Sequence, residues 1–313
     1  MTVLDRILVT GGAGFIGSHT VDLLLEQGKQ VIVLDNLSSG KLEHINLQHP
    51  NLEFVEGDVL EYPLIVDLLE SCDAVLHLAA IASVQYSIQH LIYSFQVNTQ
   101  GFLHVLEAVR KAHRPIRLVY ASSAAVYGDA QQLPCSDNTS LCNNTMLSPY
   151  AVQKKNNEEY AKLYARLHGI NSLALRYFNV YGRGQDPTSP YSGVISRFLD
   201  AYRREDDLTI FGDGKQSRDF IHVSDVVKAN CLALQKEYAG VLNIATGQPQ
   251  TLLDLVSYLE LAGHRSAKLH FEPAKSGDIR ASYANIHRAE QQLDFRYSVS
   301  LQEGIKKMVS ESK

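Results

Sequence analysis

A tyrosine and a lysine stand four residues apart in a segment that could transfer protons. Tyr150 and Lys154 belong to the run Ser-Pro-Tyr-Ala-Val-Gln-Lys at 148–154, and the spacing places both on one face of a helix. Free tyrosine has a pKa of about 10, which is too high for a base at neutral pH. A nearby ammonium favours the phenolate and lowers that pKa. The spacing therefore predicts a tyrosine general base that is tuned by the lysine.

A serine-rich segment could supply a hydroxyl to the same substrate group. Residues 120–128 read Tyr-Ala-Ser-Ser-Ala-Ala-Val-Tyr-Gly and end a predicted strand. Ser123 could hydrogen-bond the substrate hydroxyl from which Tyr150 takes the proton. A tyrosine and a lysine at this spacing are otherwise an ordinary surface pair, so the prediction depends on their occurrence with the serine strand and with a glycine turn.

That glycine turn lies at residues 10–17, which read Thr-Gly-Gly-Ala-Gly-Phe-Ile-Gly between a predicted strand and a predicted helix. Gly11 permits the tight turn, Gly14 lets the backbone approach a pyrophosphate, and Gly17 lets helix and strand pack closely. The pyrophosphate would then bind the free amides at the N-terminus of the helix. The segment predicts a dinucleotide-binding site.

An acidic residue at the end of the second predicted strand indicates which dinucleotide is bound. Asp35, followed by Asn36, stands where a carboxylate binds the two hydroxyls of the adenosine ribose and would repel a 2′-phosphate. The sequence therefore favours NAD over NADP. The positive nicotinamide ring of that cofactor would, together with the Lys154 ammonium, lower the pKa of Tyr150. Asp58 and Val59 follow the third strand, and we expect them at the adenine edge, although an ordinary strand-end turn is the alternative.

The elements around these motifs alternate between strand and helix. Strands are predicted at 7–10, 31–35, 52–56, 74–78, 116–122 and 171–177, and helices at 15–26 and 149–167. A long helical pattern with two polar interruptions runs from about 86 to 112. This alternation is typical of a parallel sheet wrapped by helices. The predicted fold is α/β, a Rossmann-type doubly wound parallel sheet with a smaller, mixed α/β C-terminal lobe for the substrate.

The domain boundary is predicted just after Tyr177, where turn residues cluster. Gly182, Gly184, Pro187 and Pro190 follow within a short stretch. We assign 1–178 to the NAD-binding domain and 179–313 to the substrate lobe, with part of 218–236 returning to the first domain.

Composition excludes several classes of protein. A net charge of -5 argues against a general nucleic-acid binder. The sequence shows no signal peptide and no apolar stretch of membrane-spanning length. His77 and His222 have no partner at metal-ligand spacing, so we expect structural roles and no metal. The cysteines form no Cys-x-x-Cys pair, which favours reduced thiols in the cytoplasm; they are Cys72, Cys135, Cys142 and Cys231.

With these motifs the chain resembles the extended short-chain dehydrogenase/reductases of the NAD-dependent epimerase/dehydratase family, nearly end to end. The similarity is greatest to bacterial UDP-glucose and UDP-N-acetylglucosamine 4-epimerases. The resemblance implies that Tyr150 is the base, that Lys154 also holds the nicotinamide ribose, and that Ser123 orients the sugar 4-hydroxyl. The residues expected to bind NAD are Gly11, Gly14, Phe15, Ile16, Gly17, Asp35, Asn36, Ser38, Gly40, Asp58, Val59, Leu78, Ala79, Ala80, Asn98, Ser122, Tyr150, Lys154 and Tyr177.

The resemblance also implies a UDP-sugar site in the second half of the chain. It places Asn179 on the UDP phosphate, Thr209 to Phe211 beside the uracil and Arg218 on the diphosphate, where a planar guanidinium suits a phosphate pair. A domain-bridging ion pair is the alternative for Arg218. The family usually has arginine where this chain has Lys275, which cannot clasp a phosphate bidentately. The residues expected at the substrate are Ser83, Ser123, Asn179, Gln185, Val194, Thr209, Phe211, Arg218, Lys275, Asp278 and Ser282.

One position in that set bears on which sugar fits. In the family, a bulky residue shortly after a Gly-Asp pair excludes an N-acetyl group at C2, and a small residue admits it. Counting from Gly277-Asp278, that position is Ser282, which predicts turnover of UDP-GlcNAc as well as UDP-glucose. A register error of one would instead give Tyr283 the role of shaping the pocket.

The implied reaction is an NAD-dependent 4-epimerisation through a 4-keto intermediate. Related dehydratases and decarboxylases carry acidic residues directly after the strand serine or threonine, where this chain has Ala124 and Ala125. Uronate 4-epimerases usually replace the residue that corresponds to Asn179. A non-catalytic NAD-sensing regulator usually loses the tyrosine or the lysine. All of these functions are therefore disfavoured relative to the epimerase.

The resemblance further suggests a homodimer that is built from two helices of each subunit, roughly 86–112 and 149–167. Some of the apolar residues on these helices must instead face the subunit's own core. The candidates are Phe95, Phe102, Leu103, Leu106, Leu163 and Tyr164.

Overall fold

A computed structural model of the protein describes residues 4–130, 132–138, 141, 145–186, 193–274 and 279–310. Its strands are β1 (Arg6–Thr10), β2 (Gln30–Asp35), β3 (Leu52–Glu56), β4 (Ala74–His77), β5 (Arg117–Ser123), β6 (Ser172–Tyr177), β7 (Asn179–Tyr181), β8 (Leu208–Phe211), β9 (Ser217–His222), β10 (Gly240–Ile244), β11 (Pro249–Thr251), β12 (Leu269–Glu272) and β13 (Ala281–Ser282). The predicted strands of the first half are present, with ends that differ by a residue or so.

The helices are α1 (Phe15–Glu26), α2 (Tyr62–Leu69), α3 (Val84–Gln89), α4 (Leu91–Phe95), α5 (Gly101–Lys111), α6 (Pro149–His168), α7 (Val194–Arg204), α8 (Val223–Gln235), α9 (Leu252–Gly263), α10 (His287–Leu293) and α11 (Leu301–Ser310). A π-helical turn at Gln96–Gln100 joins α4 to α5. The helical pattern predicted at 86–112, with its two polar interruptions, is divided in the structure, first at His90 and again at the π turn.

Seven parallel strands form the main sheet, in the order β10-β6-β5-β4-β1-β2-β3. Successive side chains of a strand point to opposite faces, and β1 packs accordingly: Ile7 and Val9 join the core under α1 and α8, whereas Leu8 joins the core under α2, α5 and α6. Strands buried on both faces read as continuous apolar runs. The sheet confirms the predicted Rossmann-type fold.

The second half of the chain builds smaller sheets over one end of the main sheet. Strand β9 is central to the larger of them, where it pairs with β7, β11 and β13, and β8 pairs with β12. A separate core beneath these strands includes Phe198, Ile210, Leu255 and Ile305. None of the helices in the described ranges is long and apolar enough to span a membrane.

Two late elements return to the main sheet. Helix α8 packs against α1, and β10 pairs with β6 as the edge strand. Strand β10 lies outside the range 218–236 that we predicted to return. The division at residue 178 into a cofactor domain and a substrate lobe stays a proposal.

Candidate active site

The glycine turn between β1 and α1 has no room for side chains. Gly11 has φ +71°, and a Cβ on Gly17 would lie 2.1 Å from the carbonyl oxygen of Gly11. Helix α1 begins after Gly14 without a side-chain cap. Its first-turn amides therefore remain available to an anion, as the pyrophosphate of a dinucleotide requires.

Asp35 ends β2 beside this turn. Its Oδ2 accepts a hydrogen bond from the Ala13 amide at 3.0 Å, and its Oδ1 accepts one from the Leu37 amide at 2.9 Å. Burial raises the pKa of the carboxyl group, and these two amides lower it. Each ionised oxygen keeps acceptor capacity for a ribose hydroxyl. A Cβ on Gly40 would lie 2.9 Å from the carboxylate, so the loop closes over Asp35 only with glycine there.

The neighbouring strand ends complete this edge of the site. The side-chain amide of Asn36 donates to Asp58 Oδ2 at 2.8 Å, and Asn36 Oδ1 accepts from the backbone amide of Ser38 at 3.0 Å. Val59 is buried, and its carbonyl contacts His104. Beyond β4, the Ala79 amide donates to Thr10 Oγ1 at 3.3 Å, which places residues 78–80 directly beside Gly11.

Asn98, predicted as a cofactor contact, instead directs its side chain into the protein. Both N–H groups are used, to the Ile81 carbonyl at 3.0 Å and to Gln153 Oε1 at 2.7 Å. Its Oδ1 accepts from the Ile81 amide at 2.7 Å. The residue thus ties the loop after β4 to α6, and its predicted contact with the cofactor stays a prediction.

The hydroxyl groups of Ser122 and Tyr177, also predicted at the cofactor, have protein partners as well. Ser122 Oγ donates to Glu158 Oε1 at 2.6 Å, and Tyr177 Oη donates to Asn230 Oδ1 at 2.6 Å. The first bond joins β5 to α6, and the second joins β6 to α8. Buried hydroxyls need such partners, so these two side chains hold the framework of the site.

Helix α6 presents the predicted base and its lysine. Ser148 caps the helix by accepting from the Ala151 amide at 3.2 Å, and Pro149 occupies the first turn, where its missing N–H costs nothing. Tyr150 follows in that turn, and Lys154 lies one turn later. The Lys154 ammonium donates to the Ala121 carbonyl at 2.8 Å and lies 5.9 Å from the centre of the Tyr150 ring.

Ser123 ends β5 opposite Tyr150. Its Oγ accepts from the Ala125 amide at 3.1 Å and caps the short 3-10 turn at Ala124–Tyr127. It also hydrogen-bonds the Tyr150 phenol, which lowers the pKa of that phenol. The predicted group of Ser123, Tyr150 and Lys154 is thus assembled around one point.

Burial dominates the electrostatics of this group. It raises the pKa of Tyr150, and the hydrogen bond from Ser123 only partly opposes that rise. Burial lowers the pKa of Lys154 to about 8, and the negative charge of Glu158 raises it. Without a bound cofactor, burial thus keeps the pKa of Tyr150 above its ordinary value. The predicted lowering also depended on the positive nicotinamide ring of a bound cofactor, and it stays a prediction.

The predicted substrate residues of β7, β9 and β13 lie on adjacent strands. Asn179 on β7 donates to the Asp219 carbonyl at 3.0 Å. Ser282 is paired in register with Arg218, whose Nη1 donates to the Ser217 carbonyl at 2.9 Å. The pairing therefore brings the expected diphosphate contacts and the expected C2 position onto one small sheet.

Other predicted substrate residues are more dispersed. Thr209 is exposed and Phe211 half-buried on β8, and Val194 begins α7. Ser83 caps α3 by accepting from the Tyr86 amide at 3.1 Å. The side-chain oxygen of Gln185 is buried and has no hydrogen-bond partner among the described residues. Lys275 and Asp278 lie outside the described residues.

Sequence reasoning missed two buried carboxylates beside the site. Glu158 forms an ion pair with Arg176 at 2.6 Å, with both side chains almost fully buried. Asp219 on β9 accepts hydrogen bonds from Thr246, Gly247 and Ala284. It thereby joins β9 to the residues that follow β10 and to those that follow β13. Glu158 had a signal, because it lies four residues after Lys154 on the same helix face.

His77, His222 and the described cysteines lie in the packed framework of the protein. Burial lowers the pKa of His77 to about 3, and its Nδ1 lies 2.8 Å from Thr10 Oγ1. His222 caps α8. Among the residues that the structure describes, no cluster of His, Cys, Asp or Glu could hold a metal ion, and Cys72, Cys135 and Cys231 are free and buried.

The matches to known proteins agree on one family. The sequence profile of the NAD-dependent epimerase/dehydratase family matches residues 7–245. A putative UDP-glucose 4-epimerase of Methanocaldococcus jannaschii is 40% identical over 307 residues, covering 97% of both chains. Other reactions occur at somewhat lower identity: a UDP-N-acetyl-alpha-D-glucosaminuronate decarboxylase of Bacillus cytotoxicus is 31% identical over 314 residues, covering 97% of this chain and 96% of its own.

Solved structures with the same architecture carry related ligands. The UDP-N-acetylglucosamine 4-epimerase of Methanobrevibacter ruminantium, in complex with UDP-N-acetylmuramic acid, matches with a TM-score of 0.91 at 35% identity, over 98% of this chain and 99% of that one. The UDP-glucose 4-epimerase of Thermus thermophilus in complex with NAD matches with a TM-score of 0.87 at 33% identity, over 97% of this chain and 98% of that one.

Replacing Asp35 with alanine should weaken the preference for NAD. The carboxylate repels a 2′-phosphate, so its removal should lower the ratio of the NADP and NAD dissociation constants by about tenfold or more, which corresponds to about 1.4 kcal/mol. Titration of both cofactors against the purified protein measures this ratio. The control is Glu56→Ala, which removes the exposed carboxylate in register with Asp35 on β3. Tighter binding of NADP by the unaltered protein would contradict the assignment.

Proposed function

The chain belongs to the NAD-dependent epimerase/dehydratase family, and we propose that it interconverts UDP-hexoses that differ in configuration at C4. Its cofactor is NAD, which solved relatives bind. The UDP-sugars named for similar proteins support the substrate class. The observation that carries the proposal is the assembled group of Ser123, Tyr150 and Lys154, with alanine at both positions after the serine.

Ser123, Tyr150 and Lys154 each have a role in the proposed reaction. Bound NAD would supply a hydride acceptor and donor for sugar C4, and its positive nicotinamide ring would favour the Tyr150 phenolate. Tyr150 takes the proton from the 4-hydroxyl and gives it back on the return step. Ser123, which hydrogen-bonds the Tyr150 phenol, orients that hydroxyl. Lys154 keeps a buried positive charge beside the base.

The 4-keto sugar must present its other face before hydride returns. We assign the diphosphate to Arg218 and Asn179, which lie on the paired strands β9 and β7, so that the sugar turns about a fixed linkage. The reaction has no net redox change. The cofactor must therefore stay bound through the cycle, because its release midway would strand the ketone.

The rival reactions of the family need groups that this site lacks. Ala124 and Ala125 begin the 3-10 turn directly after Ser123, where related dehydratases and decarboxylases place an acid. The buried carboxylates of Glu158 and Asp219 are already hydrogen-bonded within the protein. The retained Asn179 disfavours a uronate substrate, and the assembled Tyr150 and Lys154 disfavour a non-catalytic NAD sensor.

Two features support a site that also accepts N-acetylated sugars. Ser282 is half-buried and lies in register with Arg218, so a larger side chain there would reach the space beside the diphosphate anchor. A solved relative with the same fold is a UDP-N-acetylglucosamine 4-epimerase. We therefore propose that UDP-GlcNAc and UDP-GalNAc are interconverted as well as the plain hexoses.

An exposed apolar surface supports a homodimer. As expected for some of the candidates, Phe102 and Leu106 are fully buried in the subunit's own core, whereas Phe95 is 45% exposed. A cavity of about 430 Å³ beside α6 is lined partly by Leu103, Leu163 and Tyr164. The apolar side chains exposed on α3, α4 and α6 are Val84, Ile88, Leu91, Ile92, Tyr93, Phe95, Val152, Tyr160 and Leu167, and we propose that a second subunit covers them.

The cysteines support a reducing compartment. Cys72, Cys135 and Cys231 are free, and burial raises the pKa of each thiol. Thiols of this kind are inert and suit a protein of the cytoplasm, which we propose as its location.

A panel of UDP-sugars tests the function directly. Incubation of the NAD-loaded enzyme with UDP-galactose, UDP-GalNAc and UDP-glucuronate, with products identified by NMR, should give C4 epimers of the first two. Loss of carbon dioxide or water from any substrate would favour a decarboxylase or a dehydratase instead. A protein that binds NAD and turns over none of them would be a sensor.

Replacing Tyr150 with phenylalanine should leave NAD bound and lower kcat by about 10²–10⁴-fold, because the general base is lost. Lys154→Met should lower turnover and also weaken NAD binding, since the ribose contact goes with the ammonium. Both effects are measured by steady-state turnover of UDP-galactose and by cofactor titration. Near-normal turnover of the phenylalanine variant would remove Tyr150 from the mechanism.

Replacing Ser282 with tyrosine should abolish turnover of UDP-GlcNAc and spare that of UDP-glucose, because steric exclusion acts only against the larger substrate. Ser282→Ala is the matched control and should keep both activities. Comparison of kcat/KM for the two substrates measures the effect. Equal loss of both activities in the tyrosine variant would place the gate elsewhere.

Replacing Ile92 with glutamate should convert a dimer into a monomer at micromolar concentration, because a charge would enter the centre of the apolar surface. Ile92 is 70% exposed in the single chain, and the control Leu261→Glu alters a 59% exposed leucine on α9. Light scattering reports the mass of each variant. A monomeric unaltered protein would contradict the proposed dimer.

A further inference from the structure

A buried ion pair lies directly behind the catalytic group. The Arg176 guanidinium of β6 donates to both oxygens of Glu158 on α6, from Nε to Oε1 at 2.8 Å and from Nη2 to Oε2 at 2.6 Å. The two side chains are 3% and 1% exposed. The third guanidinium nitrogen donates to Tyr127 Oη at 2.9 Å, and Tyr127 donates in turn to Asn243 of β10 at 2.7 Å. Every polar group of the pair is thus fixed by neighbouring elements.

Stability alone is a weak reason for such a pair. Taking two charges out of water costs about as much as their attraction returns, and apolar residues of similar volume often serve a core as well or better. The placement of the pair is specific, however. Glu158 lies one helical turn beyond Lys154 on the same face of α6, where i,i+4 side chains are neighbours.

The carboxylate acts on the catalytic group along two routes. It accepts from Ser122 Oγ at 2.6 Å, which fixes the segment that carries Ser123 and the Ala121 carbonyl to which the Lys154 ammonium donates. It also places a negative charge near that ammonium, which burial otherwise disfavours. Both routes act on Tyr150 indirectly, the first through the segment 121–123 and the second through Lys154.

The charges around Lys154 come from several elements. His77 on β4 is neutral, because burial and the lysine charge both lower its pKa, to about 3. Burial raises the pKa of the nearby tyrosines, so they too stay neutral without a cofactor. The titratable and charged groups are Tyr150 and Glu158 on α6, Tyr120 on β5, Tyr127 after it, His77 on β4 and Arg176 on β6. Glu158 is therefore the negative charge of this set.

We propose that Glu158, held in place by Arg176, is the positioning residue of the catalytic group: it sets the segment 121–123 and supplies the negative charge beside the Lys154 ammonium. This assignment rests on the proposed role of Lys154 in the epimerisation. Without the negative charge of Glu158, the Lys154 ammonium loses its proton at a lower pH. Above that pH, Tyr150 has no cation beside it.

Single-charge variants test the assignment by the sign of their effect. Glu158→Gln keeps an acceptor for Ser122 and removes the charge. The alkaline limb of the kcat–pH profile should then move to lower pH by about one unit, because the pKa of Lys154 falls. At a given pH, each unit of pKa changes the ratio of ammonium to amine tenfold. Arg176→Gln removes the opposite charge, and the limb should move to higher pH. The double variant restores the net charge, and its limb should return towards that of the unaltered enzyme.

A second readout does not depend on turnover. The titration of Lys154 in the NAD-loaded protein is followed by NMR with isotope-labelled lysine, and its signal is assigned by its loss in Lys154→Met. The same signs of displacement are expected, and this measurement stays informative even if no UDP-hexose is turned over, which would refute the proposed function alone. Unfolding temperatures are recorded for each variant, and if Glu158→Gln folds poorly, Arg176→Gln decides. Lower unfolding temperatures with an unmoved Lys154 titration would overturn the assignment and leave the pair a structural one.

Discussion

The carboxyl ends of the parallel strands meet at one edge of the sheet, and the rest of the site depends on that constraint. Gly11 follows β1, Asp35 ends β2, Ala79 follows β4 and Ser123 ends β5. Residues that are far apart in sequence therefore lie close together at this edge of the sheet. Because the strands are buried on both faces, their apolar runs fix the register. The candidate cofactor contacts are then concentrated at the ends of these strands and in the turns that follow, and helix α6 adds Tyr150 and Lys154 beside them.

Desolvation is the cost of that arrangement for the proton-transfer group. It raises the pKa of Tyr150 and lowers that of Lys154, and both shifts oppose the phenolate–ammonium state that the proposed reaction uses. Opposite charge has to be supplied from within the fold or by the cofactor. Glu158, itself held by Arg176, is the protein's contribution, and a dry site strengthens its effect because few mobile dipoles screen it.

The same burial explains why the side chains of several residues predicted at the cofactor are hydrogen-bonded within the protein. Asn98, Ser122 and Tyr177 have their side chains hydrogen-bonded to Ile81, Glu158 and Asn230. A buried polar group without a partner is costly, so side chains behind the site are satisfied by the protein. The predicted contacts of these residues with the cofactor stay predictions.

The sequence alone determined the fold and the residue pattern of the candidate site, because both can be recognised in short stretches. The strand–helix alternation, the glycine turn with Asp35, and the spacing of Tyr150 and Lys154 are each readable within a short stretch, and the structure has them in the predicted elements. Only the tertiary structure decided which elements complete the sheet, how the helix predicted at 86–112 is divided, and which charges are buried together. Strand β10 joins β6 and Arg176 meets Glu158 across separate elements, and no local pattern encodes a contact whose partners lie on elements distant in sequence.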